Sequence, residues 1–112
     1  MMATLMGLKT VSPEALLRLV RAGQVTTFDV NSRQSWERAH VPGATHLDPV
    51  AFSAADLPAD PERPLVFYCS NPFCRKAPGA ARRALRLGYR EVRVLSAGIE
   101  GWLRAGLPTE PG

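Results

Sequence analysis

Cys69 and Cys74 stand out first, because they bracket a short loop that ends directly in two cations. Residues 69–76 read Cys-Ser-Asn-Pro-Phe-Cys-Arg-Lys. The thiolate is the reactive form of cysteine, and a helix N-terminus with a neighbouring arginine favours it. Backbone N–H groups of a tight loop over a helix start also cradle an anion. Cys69 is therefore the candidate nucleophile, with an expected lowered pKa. Ser70, Asn71 and Phe73 form the loop, Arg75 closes it with a forked set of donors, and Lys76 adds a second cation. Such a set would serve a thiolate, a persulfide or a bound oxyanion. A buried, inert cysteine is the competing reading for Cys69. Cys74 is either a redox partner of Cys69 or a small apolar residue at the helix start, and packing is the preferred reading.

Two histidines, His40 and His46, would complete a Cys₂His₂ set with the two cysteines. Their spacing matches no zinc finger or ribbon, so no metal is assigned. Two cysteines also make no disulfide framework.

The loop must be positioned by the elements around it. Leu65–Tyr68 is a fully apolar run that suits a central buried strand. A helix should follow from about Arg75 or Ala77 to Leu87, with Ala77, Ala81, Ala84 and Leu85 as its apolar stripe and Gly88 as its stop. Ser12-Pro13-Glu14 is a helix start with cap, proline and early negative charge, and Gly23 ends that helix. Val25–Val30 reads as a second buried strand, running into the polar junction Asp29-Val30-Asn31. Ser32 caps a short helix through Trp36 and Arg38, Val41–Ala44 is a turn, and His46–Leu47 is extended. Residues 51–57 form a brief helix, Val92–Leu95 a strand, and Ile99–Arg104 a helix with Trp102 inward. Strands alternating with helices predict an α/β domain with a mostly parallel sheet and helices on both faces. Sites in such sheets form at the carboxyl ends of strands, where Asp29 and Cys69 stand.

A chain of 112 residues fits one domain over 1–112, with residues 1–8 and 109–112 expected as loose termini. Hydrophobic residues at 46% and charged residues at 21% exclude a disordered polyelectrolyte. No apolar run is long enough to span a membrane, and Met1–Leu8 lacks the charged start and cleavage site of a signal peptide. A cytoplasmic setting is expected. The net charge is +4, and residues 75–93 hold seven basic side chains against one acid, Glu91. No aromatic residues interleave with Arg82, Arg83, Arg86 and Arg90 as single-strand binding would need, so a solvated helix face is preferred and no nucleic-acid partner is expected.

With these pieces in place, nearly the whole chain resembles a single-domain rhodanese, a thiosulfate sulfurtransferase-like domain. The resemblance rests on four ordered segments: Phe28-Asp29-Val30 with Trp36-Glu37; His40-Val41-Pro42-Gly43-Ala44, similar to the family's H-I-P-G-A; Tyr68-Cys69 opening the active loop; and Leu95–Trp102, similar to the closing L-x-G-G-x-x-x-W. Three positions depart from the family pattern. Asn31 stands where the family's D-x-R segment has arginine, with Arg33 nearby, and Ala97 replaces the first closing glycine. Cys69 and Arg75 also enclose five residues, Ser70 to Cys74, where typical sulfurtransferase loops enclose four. Five is the spacing of rhodanese-fold phosphatases of the cell-division-cycle type and related arsenate reductases. Those loops usually place Ser or Thr after the arginine, where this chain has Lys76, and Pro72 withholds one N–H donor.

The resemblance implies a three-layer α/β/α rhodanese-like domain acting as a sulfurtransferase. Cys69 would take the outer sulfur of a small anionic donor such as thiosulfate as a persulfide, then pass it to a thiol or cyanide acceptor. Loop amides and Arg75, with Lys76, would hold the anions, Asp29 and His40 would support the loop, and no metal or organic cofactor is required. An oxyanion enzyme and a non-catalytic binding module of the same fold are the alternatives. The sequence leaves the oligomeric state open.

Overall fold

The computed structural model describes residues 4–5 and 7–112. Its centre is a six-stranded sheet in the order β1-β2-β6-β5-β3-β4. The strands are β1 (Thr4–Leu5), β2 (Leu8–Thr10), β3 (Thr26–Asp29), β4 (Thr45–His46), β5 (Leu65–Tyr68) and β6 (Val92–Val94). Strands β2 to β6 run parallel and β1 turns back antiparallel on β2. The sheet is mostly parallel, as the alternating pattern predicted.

Four helices cover it: α1 (Pro13–Arg21), α2 (Arg33–Arg38), α3 (Lys76–Arg86) and α4 (Gly98–Arg104). The Ser12 and Ser32 side chains accept from Ala15 N–H and Ser35 N–H, each at 3.1 Å, so both predicted caps form. Because side chains alternate along a strand, β5 feeds two cores. Leu65 and Phe67 join Phe28, Phe52 and α3 on one face. Val66 and Tyr68 join Leu16, Leu17, Ile99 and Trp102 from α1 and α4 on the other.

Several sequence expectations need correction. The apolar stripe of α3 is Ala77, Ala80, Ala81 and Ala84, whereas Leu85 is 41% exposed. Four alanines bring the helix close to the sheet, and the bulkier Leu85 falls beyond the contact arc. The brief helix at 51–57 is a single 3₁₀ turn, Ala54–Asp56. Neither end is loose where it is described. Residues 4–5 and 8 lie in β1 and β2, and Leu8 is buried; residues 1–3 and 6 lie outside the described residues. At the other end, His40 and Glu110 exchange backbone hydrogen bonds at 2.9 Å, and Gly112 N–H donates to Glu37 O at 2.9 Å.

Candidate active site

Cys69 follows β5 directly, at the carboxyl edge of the sheet between β3 and β6, and only 3% of it is exposed. The N–H groups of Ser70 and of Ala77, the latter in the first turn of α3, point to its sulfur. Loop and helix start thus converge on one atom. Asn71 shapes the crest above it. Its carbonyl accepts from Cys74 N–H at 3.1 Å, its Oδ1 from Phe73 N–H at 2.9 Å, and its amide donates to Glu100 at 3.1 Å. Phe73 stands 91% exposed at that crest.

The loop is fastened from both sides. On one, Ile99 N–H and Glu100 N–H at the start of α4 donate to the carbonyls of Cys69 (2.9 Å) and Ser70 (3.0 Å). On the other, the Ser70 hydroxyl donates to Asn31 Oδ1 at 2.9 Å, and Asn31 N–H donates to Asp29 Oδ1 at 2.8 Å. The two polar junctions noted in the sequence are therefore one connected unit. Asp29 Oδ2 also accepts from Tyr68 O–H at 2.7 Å, and the Tyr68 oxygen accepts from Val41 N–H at 3.1 Å. Asp29 is wholly buried, and burial raises its pKa against the opposing hydrogen bonds from Tyr68 and Asn31 and the charge of His46. Burial, with the adjacent carboxylate, pushes the Tyr68 phenol far above its usual range.

The expected lowered pKa of Cys69 is not what the surroundings produce. Burial pushes the Cys69 thiol up to about 12, helped by its hydrogen bond to Cys74 and opposed by the Ala77 and Ser70 amides. Cys74 moves the other way. Its partial burial works against ionisation, but the hydrogen bond from Cys69, the N–H groups of Lys76 and Ser70, and the Lys76 charge together bring its pKa down. Of the two, Cys74 gives up its proton more readily and Cys69 holds its own. Cys74 also packs against the α3-side core, as the packing reading expected, and precedes the helix rather than lying in it.

The remaining candidates separate into two groups. Arg75 and Lys76 are exposed and line a groove of about 260 Å³ with Pro49, Val50, Arg83 and Arg86. Arg83 is not simply solvated there, since it donates to Phe52 O at 2.9 Å and lies over the Phe52 ring. His40 stays away from the loop: it is buried, stacks on Trp36 at 4.4 Å and hydrogen-bonds Trp36 O at 2.8 Å. His46 hydrogen-bonds Asn31 O at 2.8 Å, and the Cys₂His₂ set does not converge. Arg33 lies over the Trp36 ring at 5.9 Å.

Three residues of the site were missed as such: Tyr68, Asn31 and Gly98. Tyr68 and Asn31 flanked the recognised junctions, and their polar ends beside buried strands were the available signal. Gly98 was visible as a glycine that α4 retains beside Ala97. Its φ is +66°, and an added Cβ would fall 2.4 Å from the Ser70 carbonyl.

Comparison with known proteins bears on the family and the fold. The Rhodanese-like domain family model matches residues 12–105. The chain is 41% identical over 100 residues to the HTH-type transcriptional regulator Rv0324 of Mycobacterium tuberculosis, covering 87% of this chain and 42% of that protein. It is 29% identical over 101 residues to the thiosulfate sulfurtransferase GlpE of Coxiella burnetii, covering 90% of this chain and 92% of that one. The crystal structure of the BH2092 protein from Bacillus halodurans superposes with a TM-score of 0.83 at 23% identity, over 91% of this chain and 76% of that one. With the family match spanning most of the chain and the fold matching in three dimensions, this protein belongs to the rhodanese-like domain family.

Proposed function

We propose that the domain is a sulfurtransferase that carries a sulfane sulfur on Cys69. The observation that carries this reading is the convergence of the Ser70 and Ala77 N–H groups on a cysteine at the end of the central strand. The similarity to a thiosulfate sulfurtransferase of nearly matching length supports it. In the first step the Cys69 proton passes along its hydrogen bond to Cys74. The Cys69 thiolate then attacks the outer sulfur of thiosulfate, forming Cys69–S–S⁻ and releasing sulfite. In the second, cyanide or a thiolate attacks the outer persulfide sulfur and leaves with it, restoring the Cys69 thiolate. The amides stabilise the persulfide anion, and the Arg75 and Lys76 side of the loop attracts the donor.

Two other readings have one observation each. The five-residue loop favours oxyanion chemistry, as in a phosphatase or arsenate reductase. That chemistry needs a general acid, and the carboxylates nearby are Asp29, wholly buried and engaged by Tyr68 and Asn31, and Glu100, held by Asn71. The identity with a transcriptional regulator favours a non-catalytic module within a larger protein. One preparation decides among them, assayed for thiosulfate-to-cyanide transfer and for aryl phosphate hydrolysis with Cys69→Ser as the blank. Transfer dependent on Cys69, with phosphate hydrolysis at background, supports the proposal. Cys69-dependent hydrolysis without transfer supports the oxyanion reading, and neither activity supports the binding module.

A further inference from the structure

The sulfurtransferase reading uses Cys74 only as a proton acceptor, yet the loop brings this second sulfur against the first. The two thiols hydrogen-bond each other, and the single N–H of Ser70 serves both sulfurs. The turn closed by Cys74 N–H on Asn71 O, at 3.1 Å, folds the chain back so that residue 74 returns over residue 69. The Cys69 side of this pair is fixed, because α4 holds the carbonyls of Cys69 and Ser70. The Cys74 side is half-exposed and follows the solvated Phe73. A packing role alone asks only for a small apolar group at 74, and leaves unexplained why its sulfur is hydrogen-bonded to Cys69.

We propose that Cys74 resolves the Cys69 persulfide, giving the domain a second activity, sulfide release coupled to formation of a Cys69–Cys74 disulfide. The proposal rests on the persulfide of the preceding section. The Cys74 sulfur attacks the inner sulfur, Cys69 Sγ, forming the Cys69–Cys74 bond and breaking the bond to the outer sulfur. The outer sulfur leaves as hydrosulfide with the proton that Cys74 had accepted. Two electrons pass from the thiol pair to the sulfane sulfur. In sum, Cys69–SH, Cys74–S⁻ and thiosulfate give the disulfide, hydrosulfide and sulfite. An external dithiol then reduces the disulfide and closes the cycle. Hydrogen sulfide is more acidic than an alkyl thiol, so hydrosulfide is a good leaving group, and the two sulfurs already stand in hydrogen-bond contact. External acceptors compete by attacking the outer sulfur instead, so their supply sets whether sulfur is delivered or released.

The test treats fully reduced protein with thiosulfate in the absence of cyanide and added thiol, reading free sulfide and intact mass. The wild type is expected to release one equivalent of sulfide and to lose two hydrogens, with tandem mass spectrometry placing the disulfide at 69–74. Cys74→Ser and Cys74→Ala, both checked for unchanged melting, should retain one added sulfur on Cys69 and release sulfide at least about tenfold more slowly until dithiothreitol is added. A wild type that keeps a stable Cys69 persulfide, with no disulfide and no sulfide, overturns the resolving role and leaves the transfer reading standing. Equal sulfide release from wild type and both Cys74 variants also overturns it. Failure of wild type and variants alike to take up sulfur overturns both.

Discussion

Gly98 and Ser70 are in backbone contact: a Cβ on Gly98 would lie 2.4 Å from both the carbonyl carbon and the carbonyl oxygen of Ser70. This approach lets the next two amides of α4 grip the loop, Ile99 on the Cys69 carbonyl and Glu100 on the Ser70 carbonyl. The closing segment is thus a clamp on the Cys69 loop rather than a remote helix. Gly98→Ala must bear a left-handed φ of +66° and a backbone clash together. The variant is expected to lose about 3 kcal/mol of stability, lowering the melting temperature by about 10 °C. Sulfur transfer, assayed well below the new midpoint, should fall at least about tenfold because the loop is displaced. Retention of both properties would show that the clamp has no part in positioning Cys69.

The opposed shifts of the two thiols set an order of reactivity. Cys69 is pushed up to about 12 and Cys74 is brought down, so Cys74 ionises before Cys69. Iodoacetamide at pH 7 should therefore label Cys74 before Cys69, with Cys69 gaining reactivity only in strong alkali. Removing the partner changes the sign of one contribution. In Cys74→Ser the sulfur that held the Cys69 proton in place is gone, so Cys69 should ionise at lower pH than in the wild type, though burial keeps it above a free thiol. Peptide mapping of alkylation against pH checks both statements. Faster labelling of Cys69 than Cys74 in the wild type contradicts this order of ionisation.

That inversion also shows where the sequence stops being informative. Leu65–Tyr68 and the Ser12 and Ser32 caps were legible because each depends on local pattern: an apolar run, or a hydroxyl three residues before its N–H partner. The Cys-Ser-Asn-Pro-Phe-Cys-Arg loop was legible as a strand-to-helix junction for the same reason. The direction of the Cys69 shift was not, because burial and a hydrogen bond across the loop decide it, and neither is local. Strand β2 escaped notice since three residues, Leu8–Thr10, carry too short a pattern to separate from a terminus. The tied C-terminus depends on a pairing seventy positions away in sequence: Glu110 exchanges backbone bonds with His40 and accepts from Gly43 N–H at 2.9 Å.

The buried Asp29–Tyr68 pair makes a prediction with a pH dependence. Tyr68→Phe leaves Asp29 Oδ2 and Val41 N–H without their partner inside the protein. The expected loss is about 2–3 kcal/mol at pH 7, because two buried polar groups are left without a partner. Asp29 already has a raised pKa, so the folded state binds its proton more readily than the unfolded chain does. Its contribution is therefore most favourable at low pH and weakens as pH rises through the folded pKa. Losing the Tyr68 hydrogen bond, which opposes the rise, moves that pKa higher still. Urea denaturation should show a smaller deficit at about pH 4 than at pH 7. A deficit that grows on acidification would mean that the Tyr68 hydroxyl favours the protonated Asp29 carboxyl over the ionised one.

Arg75 tests how the donor is drawn to the loop. Its side chain is exposed and lines the groove with Lys76, Arg83 and Arg86, while the carbonyl of the same residue, just before α3, accepts from Gly79 N–H at 3.1 Å. Substitution should therefore leave the helix intact and remove only the cation. A dianion such as thiosulfate meeting one fewer charge near a solvated surface loses about 1 kcal/mol of attraction, or about fivefold in affinity. Arg75→Ala is expected to raise KM for thiosulfate by about that factor with kcat within about twofold, since the charge acts on binding rather than on the sulfur–sulfur bond. Raising the ionic strength should raise KM of the wild type and narrow its difference from the variant, because screening removes the contribution that the substitution removed. A fall in kcat at unchanged KM would instead place Arg75 on the departing sulfite, stabilising charge that develops only as the bond breaks.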